Sequence, residues 1–131
     1  MPVDPQKNRT PTKSILIIED NDMLLKLLAK TFEVFGMNVI EAENGLDGWK
    51  LFNSQDIDVV LTDIRMPGLD GIELSRRIRN ASPDTTIAIM TGVDNDVAHN
   101  LLTDGIADHL FVKPFSLSSV CKILTDEVPT A

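Results

Sequence analysis

The sequence predicts an α/β fold in which five β-strands, each followed by an α-helix, build one parallel sheet covered on both faces. Three observations carry this expectation. Apolar runs of strand length recur along the chain without polar alternation, as happens when helices cover both faces of a sheet. Stretches with helical periodicity separate those runs. The length, 131 residues, suits a single domain, and a domain of that size buries roughly two thirds of the surface its unfolded chain exposes.

Each element follows in order. Residues 1–13 hold three of the seven prolines and no apolar periodicity, and are expected to form a mobile tail. Ile15-Leu16-Ile17-Ile18 reads as the first strand. A helix over 22–35 places Leu24, Leu28, Thr31 and Phe35 on one stripe, and Gly36 stops it. Asn38–Ala42 is the second strand, and 45–52 a helix holding Leu46, Trp49 and Leu51. Val59-Val60-Leu61 is the third strand, followed by a loop and a helix from Gly71 to Asn80. Ile87-Ala88-Ile89-Met90 is the fourth, with a weaker helix over Asp96–Thr103. Leu110-Phe111-Val112 is the fifth. Ser116 caps the last helix, where Phe115 and Val120 are spaced to form a hydrophobic staple. Leu117, Val120, Cys121, Leu124 and Val128 make its stripe. Right-handed crossovers leave few topologies for such a chain, and the flavodoxin-like, doubly wound order 2-1-3-4-5 is the commonest.

Composition removes several classes of function. Twelve basic and 20 acidic residues give a formal charge of -8. Lys7, Arg9 and Lys13 against Asp4 make the first 13 residues basic, so the remainder holds 9 basic and 19 acidic groups, or -10. A duplex-binding surface should be basic, so direct nucleic-acid binding is not expected. Cys121 is the only cysteine, which excludes a disulfide scaffold and fits a reducing compartment. No apolar run approaches the ~20 residues of a membrane helix, and the sequence opens without a basic-then-apolar leader. A cytoplasmic location with no membrane contact is therefore expected.

In open α/β sheets the functional crevice lies at the carboxyl ends of the strands. There the sequence places Glu19-Asp20, Thr62-Asp63, Thr91-Gly92 and Lys113-Pro114. The expected strand order brings Glu19, Asp20 and Asp63 together. Two carboxylates ~5 Å apart repel by about 3 kcal/mol at an effective dielectric near 20, so the cluster must protonate, pair with a lysine or hold a cation. Oxygen-only ligands in a partly open site suit Mg²⁺. Any one of these residues alone would read as solvated loop polarity. Three acids, a hydroxyl and a lysine together describe a phosphoryl-transfer site, with Asp63 as nucleophile and Lys113 and Thr91 as ligands of phosphoryl oxygens.

Glu19-Asp20, the run Asp63-Ile64-Arg65-Met66-Pro67-Gly68-Leu69-Asp70-Gly71, Thr91-Gly92 and Lys113-Pro114-Phe115 resemble the receiver domain of two-component response regulators, over residues 14 to about 128. The resemblance implies a receiver domain over 14–131 that takes a phosphoryl group on Asp63 from a histidine kinase or phosphotransfer protein. It implies Mg²⁺ held by Asp20, Asp63 and the main-chain carbonyl of Arg65, with Glu19 acting through water. It also implies that Lys113 pairs with Asp63, that the Thr91 hydroxyl swings toward the phosphoryl group, that Gly92 leaves it room, and that Lys113-Pro114 is cis. The output would be a partner surface on the fourth helix, fifth strand and fifth helix, used by a downstream protein or a fused output domain. Such a domain is a signalling switch rather than an enzyme acting on an outside metabolite.

Two departures stand out. Leu110 occupies the place where the family usually has Tyr or Phe, so Leu110 is expected to pack inward with a smaller or differently shaped output change. Gly105 falls one residue before the family's usual helix-ending glycine, with Ile106 in that place, so the fourth helix is expected to end irregularly. Arg65 and Val93, each two residues beyond a site residue, overhang the site in this family.

Other readings weigh less. An aspartyl-phosphate hydrolase usually has a second acid two residues after its nucleophile, where this chain has Arg65. A flavin carrier on this fold needs a Ser/Thr/Gly-rich phosphate loop where this chain has Glu19-Asp20-Asn21-Asp22. A constitutive docking receiver working without phosphorylation finds support only in Leu110. His99 and His109 read as surface residues, Cys121 as a core thiol, Trp49 as packing or a partly exposed anchor. Arg76, Arg77 and Arg79 read as a solvated helix face with a docking role as the alternative.

Overall fold

Ile15 to Ile18 are all buried, with no alternation of exposure, because this strand lies in the middle of a sheet sandwiched between helix layers. The computed structural model describes residues 12–127. Residues 1–11, most of the expected tail, and Val128 of the expected last stripe lie outside the described residues. The elements run β1 (Ser14–Ile18), α1 (Asp22–Val34), β2 (Asn38–Ala42), α2 (Gly45–Ser54), β3 (Val59–Asp63), α3 (Gly71–Ala81), β4 (Thr86–Thr91), α4 (Asp96–Thr103), β5 (His109–Val112) and α5 (Leu117–Glu127). The strands are parallel in the order β2-β1-β3-β4-β5, as expected.

Two apolar layers follow from the strand alternation. Ile15, Ile17, Val59, Leu61, Ala88 and Met90 face one side and meet α1 and α5. Leu16, Ile18, Val60, Ile87 and Ile89 face the other and meet α2, α3 and α4. Cys121 lies in the first layer, and burial pushes its thiol up to about 12, which keeps it protonated and inert.

The phase of two helices differs from the sequence expectation. On α1 the buried residues are Leu25, Leu28, Ala29 and Phe32; Leu24 and Thr31 lie half-buried at the rim, and Phe35 is exposed just past the helix end. Both stripes pass through Leu28 and share the same spacing. The sheet selects the one that buries the Phe32 ring among β1, β3 and α5. On α2, Leu46 is exposed, while Gly45 and Gly48 make the buried contacts. A Cβ on Gly45 would lie 1.9 Å from the Leu69 carbonyl oxygen, so α2 sits directly against the β3–α3 loop.

Helix ends carry their own chemistry. Asn21, Asn44, Asp70 and Asn95 cap α1 to α4, each side chain accepting from an amide three residues on. The Ser119 N–H donates to Ser116 Oγ at 3.3 Å, and Phe115 and Val120 share one apolar layer, as the expected cap and staple require. The end of α4 is regular, contrary to expectation. Gly105 has φ +73°, its N–H donates to Leu102 O, and the Ile106 N–H donates to Leu101 O. Those two bonds make a Schellman ending, and Ile106 packs in the same layer as Leu101. The ending needs glycine one residue past the C-cap Asp104, so Gly105 in its own register completes it.

Of the three clustered arginines, only Arg76 is simply solvated. Arg77 lies 5.9 Å over the Trp49 ring and pairs with Glu73. Arg79 donates to the carbonyls of Pro83, Thr85 and Ile106 and pairs with Asp108 at 2.8 Å, tying α3 to the loops before β4 and β5.

Candidate functional site

The register of the sheet assembles the site. Ile18 pairs with Thr62, so Glu19, one residue past β1, stands beside Asp63 at the end of β3. Thr91 pairs with Val112, so Lys113, one residue past β5, follows Thr91. Main-chain bonds continue the ladder beyond the strands: Glu19 N–H to Ala42 O at 3.1 Å, Ile64 N–H to Met90 O at 3.1 Å, and Lys113 N–H to Thr91 O at 2.7 Å. The Lys113-Pro114 peptide is cis. The strand ends thus present Glu19, Asp63, Thr91 and Lys113 in one row, with Asp20 beside them.

Lys113 joins the acids. Its Nζ donates to Asp63 Oδ2 and to Glu19 Oε1, both at 2.8 Å. The Arg65 N–H donates to Asp63 Oδ1 at 3.2 Å, and the Asn21 N–H to Glu19 Oε2 at 3.3 Å. Asp63 and Glu19 are buried, and Asp20 is exposed. Burial pushes the Glu19 carboxyl above its ordinary value, against the hydrogen bonds from Lys113 and Asn21; the Asp63 charge adds to the rise. Burial works to lower the Lys113 ammonium, but its bonds to Asp63 and Glu19 outweigh that and hold it above the ordinary lysine value. Lys113 is therefore a fixed positive charge near neutral pH.

Glu19, Asp20 and Asp63 each offer an oxygen within 4.8 Å of the others. Three carboxylates against one ammonium leave two negative charges in a half-open crevice, which a divalent cation would neutralise. The donors are all oxygen, and the neighbouring depression, lined by Asp20, Ile64, Arg65 and Asp70, leaves room for water and a phosphoryl group. The residues fit Mg²⁺, which retains water and shares its sites with phosphates.

Local structure fixes Asp63 further. A Cβ on Gly71 would lie 2.1 Å from the Asp63 carbonyl oxygen, and the Gly71 N–H donates to Ile64 O at 2.9 Å. The first turn of α3 therefore packs against the backbone of Asp63. Gly68, at φ +78°, turns the intervening loop.

Thr91 stands apart from this network. It is buried, and its hydroxyl donates to Val93 O at 3.0 Å while accepting from the Val93 N–H at 3.1 Å. The structure brings Glu19, Asp63 and Lys113 into direct contact, sets Asp20 within ligand distance, turns the Arg65 N–H onto Asp63, and ties Thr91 to its own loop. Leu110 is half-buried in the layer under α4, and Phe111 points to the opposite layer against Phe115. His99 and His109 are exposed and half-exposed respectively. The hold of Val93 on Thr91 was not legible in the sequence, because a hydroxyl that bonds its own loop backbone leaves no compositional trace.

Comparison with known proteins agrees with the fold and with the family resemblance. The sequence matches the family model of the response regulator receiver domain over residues 15–125. It is 37% identical over 106 residues to the response regulator receiver protein CpdR of Brucella abortus, covering 80% of this chain and 88% of that protein. It is 33% identical over 104 residues, 79% of this chain, to a cyclic di-GMP phosphodiesterase of Thermotoga maritima, of which it spans only 28%. Among solved structures, the response regulator TrrA of Thermotoga maritima in complex with Mg²⁺ and BeF superposes with a TM-score of 0.78 at 30% identity, covering 88% of this chain and 98% of that one.

Proposed function

The chain belongs to the response regulator receiver family of two-component systems, whose general function is a phosphorylation switch, and from that premise we propose that Asp63 is its phosphoryl acceptor. The observation that carries this reading is the clamp on Asp63: Lys113 Nζ at 2.8 Å on one carboxylate oxygen and the Arg65 N–H at 3.2 Å on the other, beside two further acids. The donor would be a phosphohistidine on a kinase or phosphotransfer protein. An Asp63 oxygen forms the new P–O bond, the donor's N–P bond breaks, and its electron pair stays on the histidine nitrogen.

In this reading Lys113 holds the carboxylate ionised and oriented, then pairs with the phosphoryl oxygens. Asp20, Asp63 and the Arg65 carbonyl would hold Mg²⁺, and Glu19 would act on it through water. Bound there, Mg²⁺ would neutralise charge on the transferring phosphoryl group. TrrA, whose structure carries Mg²⁺ and BeF, supports this assignment by analogy. Thr91 would leave Val93 for a phosphoryl oxygen, and Leu110 would follow within the α4 layer. The altered surface would be that of α4, β5 and α5, read by a downstream protein or by a fused output domain such as the one implied by the longer Thermotoga relative. We assign the receiver to residues 14–131 and 1–13 to a tail. No helix among the described residues is long and apolar enough to cross a membrane, and a cytoplasmic signalling role without an outside metabolite fits the reading.

The test is intact mass after incubation with Mg²⁺ and a small phosphodonor. The expected result is a gain of about 80 Da, one phosphoryl group. Asp63→Asn should lower the yield on the order of a thousandfold or more, and chelation of Mg²⁺ should suppress it in the unaltered protein. An unchanged yield in Asp63→Asn would move the acceptor elsewhere.

A further inference from the structure

We infer that Asp94 and His99 form a polar staple that holds Thr91 in its resting position, making them positioning residues for the switch; the inference rests on the receiver reading of Thr91. The geometry is that of a helix entrance. Asn95 caps α4 and accepts from the Ala98 N–H at 3.0 Å, so Asp94 is the residue just before the cap and His99 is the fourth residue of the helix. Those two positions form the hydrophobic staple of other helices, where their contact fixes the angle at which the chain enters. In α5 of this protein the same positions are Phe115 and Val120, which share an apolar layer. In α4 they are a carboxylate and an imidazole, and Asp94 Oδ1 meets His99 Nε2 directly.

The staple bears on Thr91 through one short loop. Only Gly92 to Asn95 separate Thr91 from α4. Val93 holds the Thr91 hydroxyl through both its N–H and its carbonyl, Asp94 is held by His99, and Asn95 is held by Ala98. The hydroxyl reaches a phosphoryl group only by giving up both bonds to Val93, and fastening Asp94 to the helix resists the loop movement that accompanies this. Gly92, with nothing within 4 Å of where its Cβ would lie, is the free joint.

Among the described residues, Asp94 is the charged group in contact with the ring. Asp96 shares the first turn of α4. On β5, which packs against α4, His109 stacks with Phe111 in the opposite layer, and on α3 Arg79 is engaged by Asp108 and three carbonyls. Both staple side chains are more than half exposed, so the effect is that of a solvent-exposed polar pair, a factor of about two to five in the ratio of switched to resting molecules.

The experiment follows the Val93 amide, which donates to Thr91, by two-dimensional NMR of the full chain with and without Mg²⁺ and beryllofluoride. Asp94→Asn and His99→Gln should each move the free-state Val93 resonance part of the way along the line joining the free and beryllofluoride-bound positions, as a population shift requires. The double variant should move no further than either single one. Beryllofluoride binding with Val93 shifts off that line, or none, in both variants would overturn the staple alone. Absence of any beryllofluoride response around Asp63 would overturn the receiver reading, and the staple with it.

Discussion

The ends of β1, β3 and β5 differ sharply from the end of β4. At the first, Glu19, Asp63 and Lys113 are joined by two bonds of 2.8 Å, and α3 presses a glycine against the Asp63 backbone. At the second, Thr91 is buried but its hydroxyl bonds only its own loop, and Gly92 beside it has open space where a Cβ would lie. The difference separates chemistry from response. In the proposed reading, groups that must be in place before a phosphoryl group arrives are locked by burial and charge, while the group that would move afterwards is held by two local hydrogen bonds.

Substituting the glycines on either side of that divide should expose it most strongly. Gly71→Ala drives a methyl into the Asp63 carbonyl and should cost about 3 kcal/mol of stability, since backbone cannot yield as a side chain can. Gly92→Ala meets nothing and should stay within about 0.5 kcal/mol. Urea denaturation of both variants measures the contrast, and equal losses would remove it. Lys113→Gln comes next. It leaves two buried carboxylates without their ammonium and should destabilise the metal-free protein by about 2 kcal/mol, a value reduced by the partial exposure of Lys113. Addition of Mg²⁺ should recover part of that loss if the cation binds among the same acids.

The smallest effect is a slope. Glu19 has a raised pKa in the folded state, so between its ordinary value near 4.5 and the raised one the folded protein binds more protons than the unfolded chain. Stability should therefore fall as pH rises through that interval in the absence of Mg²⁺. Glu19→Gln should remove this component of the fall, measured by melting at a series of pH values. Lys113 acts with the opposite sense at the alkaline end: its raised pKa stabilises the fold below about 10.5, and that contribution is lost as pH climbs further.

Much of this was legible in the amino-acid sequence for a physical reason. A parallel strand covered on both faces must be apolar throughout, so Ile15 to Ile18 and Val59 to Leu61 declare themselves, and the first polar residues after them necessarily sit at the strand ends where sites form. Helix phase was less legible. Leu24, Leu28, Thr31 and Phe35 have the same spacing as Leu25, Leu28 and Phe32, and only the surface opposite decides between them. Gly105 misleads because the family's usual spacing puts the glycine one residue later, whereas the ending of α4 is set by its C-cap Asp104. The Arg79 clamp on the carbonyls of Pro83, Thr85 and Ile106 and the hold of Val93 on Thr91 join groups by backbone polar atoms and loop geometry, which residue types alone do not encode.

Chemical trapping at the Asp63 carboxylate decides whether Asp63 is the acceptor. After reaction with Mg²⁺ and a small phosphodonor, borohydride reduces an acyl phosphate to an alcohol, and peptide mapping then locates it. Homoserine is expected at position 63, with every other carboxylate, Glu19 and Asp20 included, left unreduced. Reduction at another residue, or phosphorylation with position 63 left as aspartate, would contradict it.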